Sequence, residues 1–217
     1  EAPSPSDRAA LRSAKAGCGV YDDLAKTIMD AYETRTMQLV DKLKPMKGQI
    51  VGLLKGHHWL EFNSELKPGM PADTNRLLCE LLKAEYWGDT IQLELEINGL
   101  LFKIFASHGY GSARTPGARI SKRIRMREVV LDANWYMMGH DNEKSVYVTE
   151  ALVGREYIKQ YYSGTGSFQR SYNFDQAEGT YAEKLLLPPS SLGVVIGTIL
   201  VQADSKGKKR LDYHISC

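Results

Sequence analysis

The sequence predicts a mixed α/β fold, with one mixed sheet or two sheets flanked by helices. Three observations carry this expectation. Apolar residues recur at helical spacing over Asp22 to Lys44 and again over Asp73 to Ala84. A strictly alternating segment, Ile91 to Ile97, runs into Asn98-Gly99 and a second apolar strand, which is the strongest short hairpin signal. Strands alternate with helices early in the chain and run together late.

Each element has its own local reason. Residues 1 to 21 are rich in Pro, Ser, Ala and Gly and read as a loop, with a short helix near Asp7 to Lys15 capped by Ser6. Leu24, Ile28, Tyr32, Leu39, Val40 and Leu43 form the expected apolar face of the first long helix. Asp22 and Asp23 favour its positive end, Lys42 and Lys44 its negative end, and Pro45 stops it. Gln49 to Leu54 reads as a short buried strand. The second helix places Leu77, Leu78, Leu81 and Leu82 inward, with Asp73 or Thr74 as its cap. After the hairpin come a basic helix over Gly117 to Val130 and a strand over Asn134 to Met138. Strands over Ser145 to Val153 and Arg155 to Ser163 pair around Gly154, and a closing hairpin joins Val194 to Gln202 with Arg210 to Ser216. No repeat or linker separates two domains, so residues 1–217 are expected to form one domain.

Composition narrows the classes of function. The 217 residues are 43% hydrophobic and 25% charged, the balance of an ordinary folded protein. The net charge of +2 points to no partner. The longest apolar run, Leu192 to Val201, falls well short of the roughly 20 residues of a membrane span and holds two glycines, so no membrane partner is expected. Cys18, Cys79 and Cys217 are sparse, odd in number and without metal-ligand spacing, which fits a reducing, cytoplasmic compartment. No signal peptide is visible, and the chain begins at Glu1, as a fragment or processed product would.

The chemistry concentrates in histidine. Four of the five histidines follow apolar strands in three similar places. The first strand runs into Gly56-His57-His58-Trp59, the second into Ser107-His108-Gly109-Tyr110-Gly111, and the third into Gly139-His140-Asp141-Asn142. Loops outside the carboxyl ends of strands are where α/β sheets bind ligands. Adjacent strands lie roughly 5 Å apart, so three such loops can converge. Three imidazoles with an oxygen ligand suit Zn, Mn or Fe. A single histidine after a strand is usually a loop residue bonded to backbone; three in one pattern point to a shared metal or phosphate site.

In this order the motifs resemble the calcineurin-like metallophosphoesterase superfamily. His108-Gly109-Tyr110-Gly111, Arg114-Thr115-Pro116-Gly117-Ala118, Thr165-Gly166-Ser167-Phe168, and Tyr181-Ala182-Glu183-Lys184 ahead of Pro188-Pro189-Ser190 are similar to its phage and prophage branch. The resemblance covers roughly Val20 to Cys217. It implies a four-layer αββα sandwich, metallo-dependent phosphatase-like, with two divalent ions (Mn, Fe, Zn or Ni) at the strand ends. It implies hydrolysis of phosphoesters by a metal-bound hydroxide, with the two ions clamping the phosphoryl group. By position, His57 takes the place of an asparagine that binds the second metal. His58 takes that of the histidine that assists the leaving group. His108 and His140 match second-metal ligands, and Asn142 stands where a first-metal histidine is found. The chain departs from the pattern at His57, at Asn142 and at Trp59, which replaces an acid. The Asp-x-His and Gly-Asp-x-x-Asp motifs that should come first are absent from the 217 residues. The chain is therefore expected to be N-terminally incomplete, with Glu1 standing near the second of those motifs. The expected substrate is a phosphoester, with nucleic acids and nucleotides among the candidates, in the host cytoplasm if the gene is phage-borne. The alternatives are a degenerate module that binds phosphate or nucleic acid without catalysis, and a zinc-only hydrolase built on the three histidines.

Other features are read against plainer explanations. Arg114, Arg119, Lys122, Arg123, Arg125 and Arg127 cluster within residues 112–127. They read first as a solvated helix face and second as a phosphate-backbone contact. Arg114, on the loop after His108, is the candidate clamp for a substrate phosphate. Tyr161 and Tyr162 are expected to pack in the core rather than stack a base. Gly164-Thr165-Gly166-Ser167 lacks the lysine and helix of a nucleotide-binding loop. Cys79 is read as core on the second helix, and His214 as structural.

Overall fold

The computed structural model describes residues 22–57, 59–111, 113–174 and 179–217. The helix expected near Asp7 to Lys15 lies outside them. The described chain divides at Asp89 and Thr90 into two compact units.

The first unit is built on two helices. Helix α1 (Asp22–Leu43) starts on Asp22 and Asp23 and passes into a 3-10 turn, Lys44–Met46, at Pro45. Its buried side runs through Ala25, Met29 and Thr36, while Leu24 and Leu39 of the expected apolar face are exposed. The contact face follows the partner. Met29 packs with Leu60, Phe62 and Leu77, and Ile28 and Tyr32 border that cluster. The ammonium of Lys67 bonds Asp30 and Glu33, adding an ionic tie along the same helix. Helix α2 (Thr74–Leu82) is capped by Asp73, whose Oδ1 accepts the Arg76 N–H at 2.9 Å, and ends at Lys83 in the left-handed region (φ 57°). The strand expected over Gln49 to Leu54 is reduced to β1 (Gly52–Leu53), parallel to β2 (Glu85–Tyr86). Trp87 lies across Gly52, where a Cβ would come within 2.1 Å of the indole.

The second unit carries the main sheet. Strands β3 (Thr90–Ile97) and β4 (Leu100–Ser107) form the expected hairpin. Asn98 (φ 52°) and Gly99 (φ 82°) both take the left-handed conformation that a two-residue turn requires. Helix α3 (Pro116–Ile124), capped by Thr115, and the 3-10 turn Arg125–Glu128 return the chain to β5 (Trp135–Met138). β6 (Lys144–Val153) and β7 (Glu156–Thr165) complete an order of β3-β4-β5-β7-β6. β4, β5 and β7 are parallel; the two outer strands are antiparallel to their neighbours. A short helix, α4 (Tyr181–Lys184), precedes the separate hairpin of β8 (Ile196–Ala203) and β9 (Lys209–Ser216). His214 lies in β9 opposite Thr198, and its ring meets Tyr161 edge to face.

Alternation along the central strands makes two cores. Phe102, Ile104, Trp135 and Tyr161 face Ile215 of the second hairpin, with Ile199, Leu211 and Tyr213 around them. Their neighbours Phe105, Tyr136 and Tyr162 face the opposite way, onto Met126 and Ala133, with Ile124 and Val130 alongside. This unit is therefore three layers: helix, five-stranded sheet, two-stranded sheet. The class is the mixed α/β fold expected, with sheets flanked by helices. Tyr161 and Tyr162 are core residues: Tyr162 is 1% exposed, and its ring stacks on Tyr136 at 4.8 Å.

The helix-side core contains a satisfied polar network. Tyr136 donates to Val130 O at 2.6 Å, Gln160 Nε2 to Leu131 O at 2.8 Å, and Tyr162 to Gln160 Oε1 at 3.1 Å. Burial first, and then the neighbouring Tyr162, push the Tyr136 phenol up to about 12. Between its ordinary value near 10 and that value, the unfolded chain has lost this proton and the folded chain keeps it. Stability therefore falls as pH rises through that window, by an order of 2–3 kcal/mol from this group. Urea denaturation from pH 9 to 12 checks this, and Tyr136→Phe should show a flatter decline.

Candidate functional site

Parallel pairing aligns the carboxyl ends of β4, β5 and β7 on one edge of the sheet. Ser107 lies opposite Met138, and Met138 opposite Gly164. The residues that follow, His108 and Gly139-His140, therefore emerge side by side. Their rings stand edge to face with centroids 5.4 Å apart. A ligand nitrogen of His108 lies within 4.8 Å of one of His140.

The loop backbone holds this approach. Gly139 N–H donates to Ser107 O at 3.2 Å, and Gly109 N–H to Ser107 Oγ at 3.1 Å. Gly109 takes φ 90°, and a Cβ there would meet Met138 Cγ at 2.7 Å, so only glycine suits the turn. His140 itself has φ 66° and Asn142 φ 51°, both in the left-handed region. Nε2 of His140 lies 2.6 Å from Gly111 O. A carbonyl only accepts, so Nε2 carries a proton, and in the neutral ring the lone pair is then on Nδ1. A backbone carbonyl on one ring nitrogen is a common way to orient a metal-binding histidine.

A charged cluster lies behind the histidine loops. Asp141, whose side chain is 3% exposed, meets Lys122 Nζ at 2.6 Å and Arg123 Nη2 at 3.6 Å. Glu143 meets Arg123 Nη2 at 3.1 Å and Arg119 Nη1 at 3.4 Å. Arg123 also bonds Ser145 Oγ, and Arg119 Nε donates to Ala113 O at 2.9 Å. Arg119 and Arg123 are thus buried ion-pair residues. These two arginines do not belong to a solvated helix face, because their charges are paired inside with Asp141 and Glu143. The sequence reading missed these two acids. The signal available was Arg119 and Arg123 at helical i, i+4 spacing, with an acidic loop after the next strand.

The other expected site residues are placed as follows. His57 is exposed in the first unit, four residues beyond β1. His58 lies outside the described residues. Asn142 is exposed, and its carbonyl accepts the Ser191 N–H at 2.8 Å. Arg114 is exposed on the loop ahead of α3; among the described residues none forms an ion pair or hydrogen bond with its guanidinium. Gly164-Thr165-Gly166 ends β7, with Gly166 (φ 81°) donating to Glu143 O at 3.3 Å. Cys79 is buried on α2.

The donor set decides what the pair suits. Two imidazoles this close, one of them oriented by a carbonyl, could both ligate a metal ion. A two-ion centre normally needs carboxylates as well, and the two that follow His140 are held by Lys122, Arg119 and Arg123.

No protein-family model and no curated protein matches the chain. Two solved structures are similar to part of it. One is a double mutant of Vps29 from Entamoeba histolytica, 13% identical, covering 66% of this chain and 76% of that one at a TM-score of 0.31. The other is wild-type Vps29 complexed with Zn2+ from the same organism, 15% identical, covering 65% of this chain and 74% of that one at a TM-score of 0.28. Among the described residues, no helix is long and apolar enough to cross a membrane.

The charged cluster makes a prediction through Gly164. A Cβ there would lie 2.3 Å from Glu143 O and 2.5 Å from Arg123 Nη2. Gly164→Ala should therefore cost about 1–3 kcal/mol of stability, the usual cost of overpacking, read as a lower urea midpoint.

Proposed function

We propose that this protein is a metal-dependent phosphoester hydrolase in which His108 and His140 hold a divalent ion. The observation that carries the reading is the pair of imidazoles side by side at the ends of parallel β4 and β5. The order of the Gly-His-His-Trp, Ser-His-Gly and Gly-His-Asp-Asn motifs, and their resemblance to metallophosphoesterases, support the same reaction class. When bound, such an ion supplies Lewis-acid polarisation of a phosphoryl oxygen. The chain's own residues do the rest. Gly111 O holds the His140 ring in the tautomer that binds through Nδ1. Arg114 offers a guanidinium fork for a phosphate, and His58 a proton for the departing oxygen. The ion would be Zn, Mn, Fe or Ni. Asn142 is a further candidate ligand through its amide oxygen.

A second reading is favoured by one observation. The carboxylates of Asp141 and Glu143 are tied up by cations. A chain that binds one ion and a phosphate group without turnover would need neither of them.

The test uses the purified full chain. Metal content is measured by mass spectrometry, and hydrolysis of bis-p-nitrophenyl phosphate is followed with manganese or nickel. The hydrolase reading expects metal-dependent turnover that falls about 100-fold in His108→Ala or His140→Ala, at the top of the range for perturbed metal sites. It expects a raised KM in Arg114→Ala. Stoichiometric metal without turnover establishes the binding-module reading. Folded protein with neither metal nor turnover overturns both.

A further inference from the structure

We infer that Lys122 is a positioning residue for the candidate metal site, clamping the two histidine loops to each other through Asp141. The inference rests on the metal reading of His108 and His140 for its consequence, but not for its geometry.

The ammonium of Lys122 reaches two loops at once. It donates to Tyr110 O at 2.7 Å, in the loop that carries His108, and to Asp141 Oδ1 at 2.6 Å, in the loop that carries His140. Each acceptor stands beside a residue of the site. Tyr110 precedes Gly111, whose carbonyl receives the His140 ring. Asp141 follows His140. The clamp and the imidazole bond thus join the same two loops one residue apart on each side.

The loop after β5 needs such a restraint. His140 adopts φ 66°, a conformation that non-glycine side chains rarely hold without support from their surroundings. Asp141 N–H closes a tight turn onto Gly139 O at 2.8 Å, and its side chain is buried against Lys122 and Arg123. A buried carboxylate keeps its place only while its cations do. Lys122 is 9% exposed at its side chain, which is unusual for lysine and leaves it little freedom to serve as a surface charge. Its place on α3 fixes it, because the flanking Arg119 and Arg123 anchor that helix to Glu143. Loss of the clamp frees the loops to separate, which removes the Gly111 acceptor from His140 and widens the imidazole pair.

Two readouts on the intact 217-residue chain test this, and one needs no metal. Long-range proton–nitrogen correlation of the imidazoles, with His140 assigned from His140→Gln, reports the tautomer. The wild type should show a fixed Nε2–H form at His140. Lys122→Met combined with Asp141→Asn removes both charges together and leaves Arg123 paired with Glu143; it should show tautomer averaging while a cooperative melting transition is retained. Zn2+ affinity, measured with the ion alone against a competing chelator, should fall about 10-fold or more, as when groups that orient metal ligands are lost. Lys122→Gln, which keeps a shorter hydrogen-bond donor and leaves Asp141 beside Arg123, should move both signals in the same direction if the double variant loses its fold. A folded variant that keeps the wild-type tautomer, or the wild-type Zn2+ affinity where the wild type binds, overturns the clamp. A wild type that binds no Zn2+ overturns the metal reading instead, and the imidazole signals alone then decide the clamp.

Discussion

The parallel register of β4 on β5 is the constraint on which the candidate site depends. With Ser107 opposite Met138, both strands stop at the same level and release a histidine at the same edge. An antiparallel pairing would send His108 and His140 to opposite ends of the sheet. Parallel neighbours require a crossover, and α3 with its following 3-10 turn provides it. The element that permits the pairing also delivers Arg119, Lys122 and Arg123 to the loops beyond the strands.

That coupling explains the polarity of the crossover helix. A helix covering a sheet face normally buries aliphatic side chains. Here Met126, with Ile124 and Val130, covers Tyr136 and Tyr162, while the strand-end portion of the same face is given to cations. Arg123 is 1% exposed and passes where Gly164 has no side chain. Buried ion pairs are weak sources of net stability, because desolvation offsets their attraction. Their effect is geometric: removing one partner leaves the other charged and dry, so the arrangement is held as a set. The loops after β4 and β5 inherit that rigidity.

Much of this organisation was legible in the chain itself. The Asn98-Gly99 hairpin, the capping by Asp73, the strand before His140 and the closing hairpin all follow from local chemistry, since turns, caps and alternation act within a few residues. The histidines at strand ends were visible for the same reason. The buried side of α1 was less legible. Leu24 and Leu39 are as apolar as Met29, and only contact with Leu60 and Phe62 decides which side is covered. The short β1 was over-read, because an apolar run records burial and not hydrogen-bonded partners. The acids Asp141 and Glu143 were passed over because their cations lie about twenty residues earlier, a distance over which sequence spacing carries no pairing information.

By itself, the sequence determined the mixed α/β class, most element positions, and a set of histidines and glycines placed where strands end. Those properties depend on backbone conformation and local periodicity, which each segment carries alone. Tertiary structure decided which strands are parallel neighbours, that His108 and His140 face each other, and that a basic helix face is an interior ion-pair surface. Those depend on contacts between segments far apart in the chain, where register and burial, not composition, select the partner.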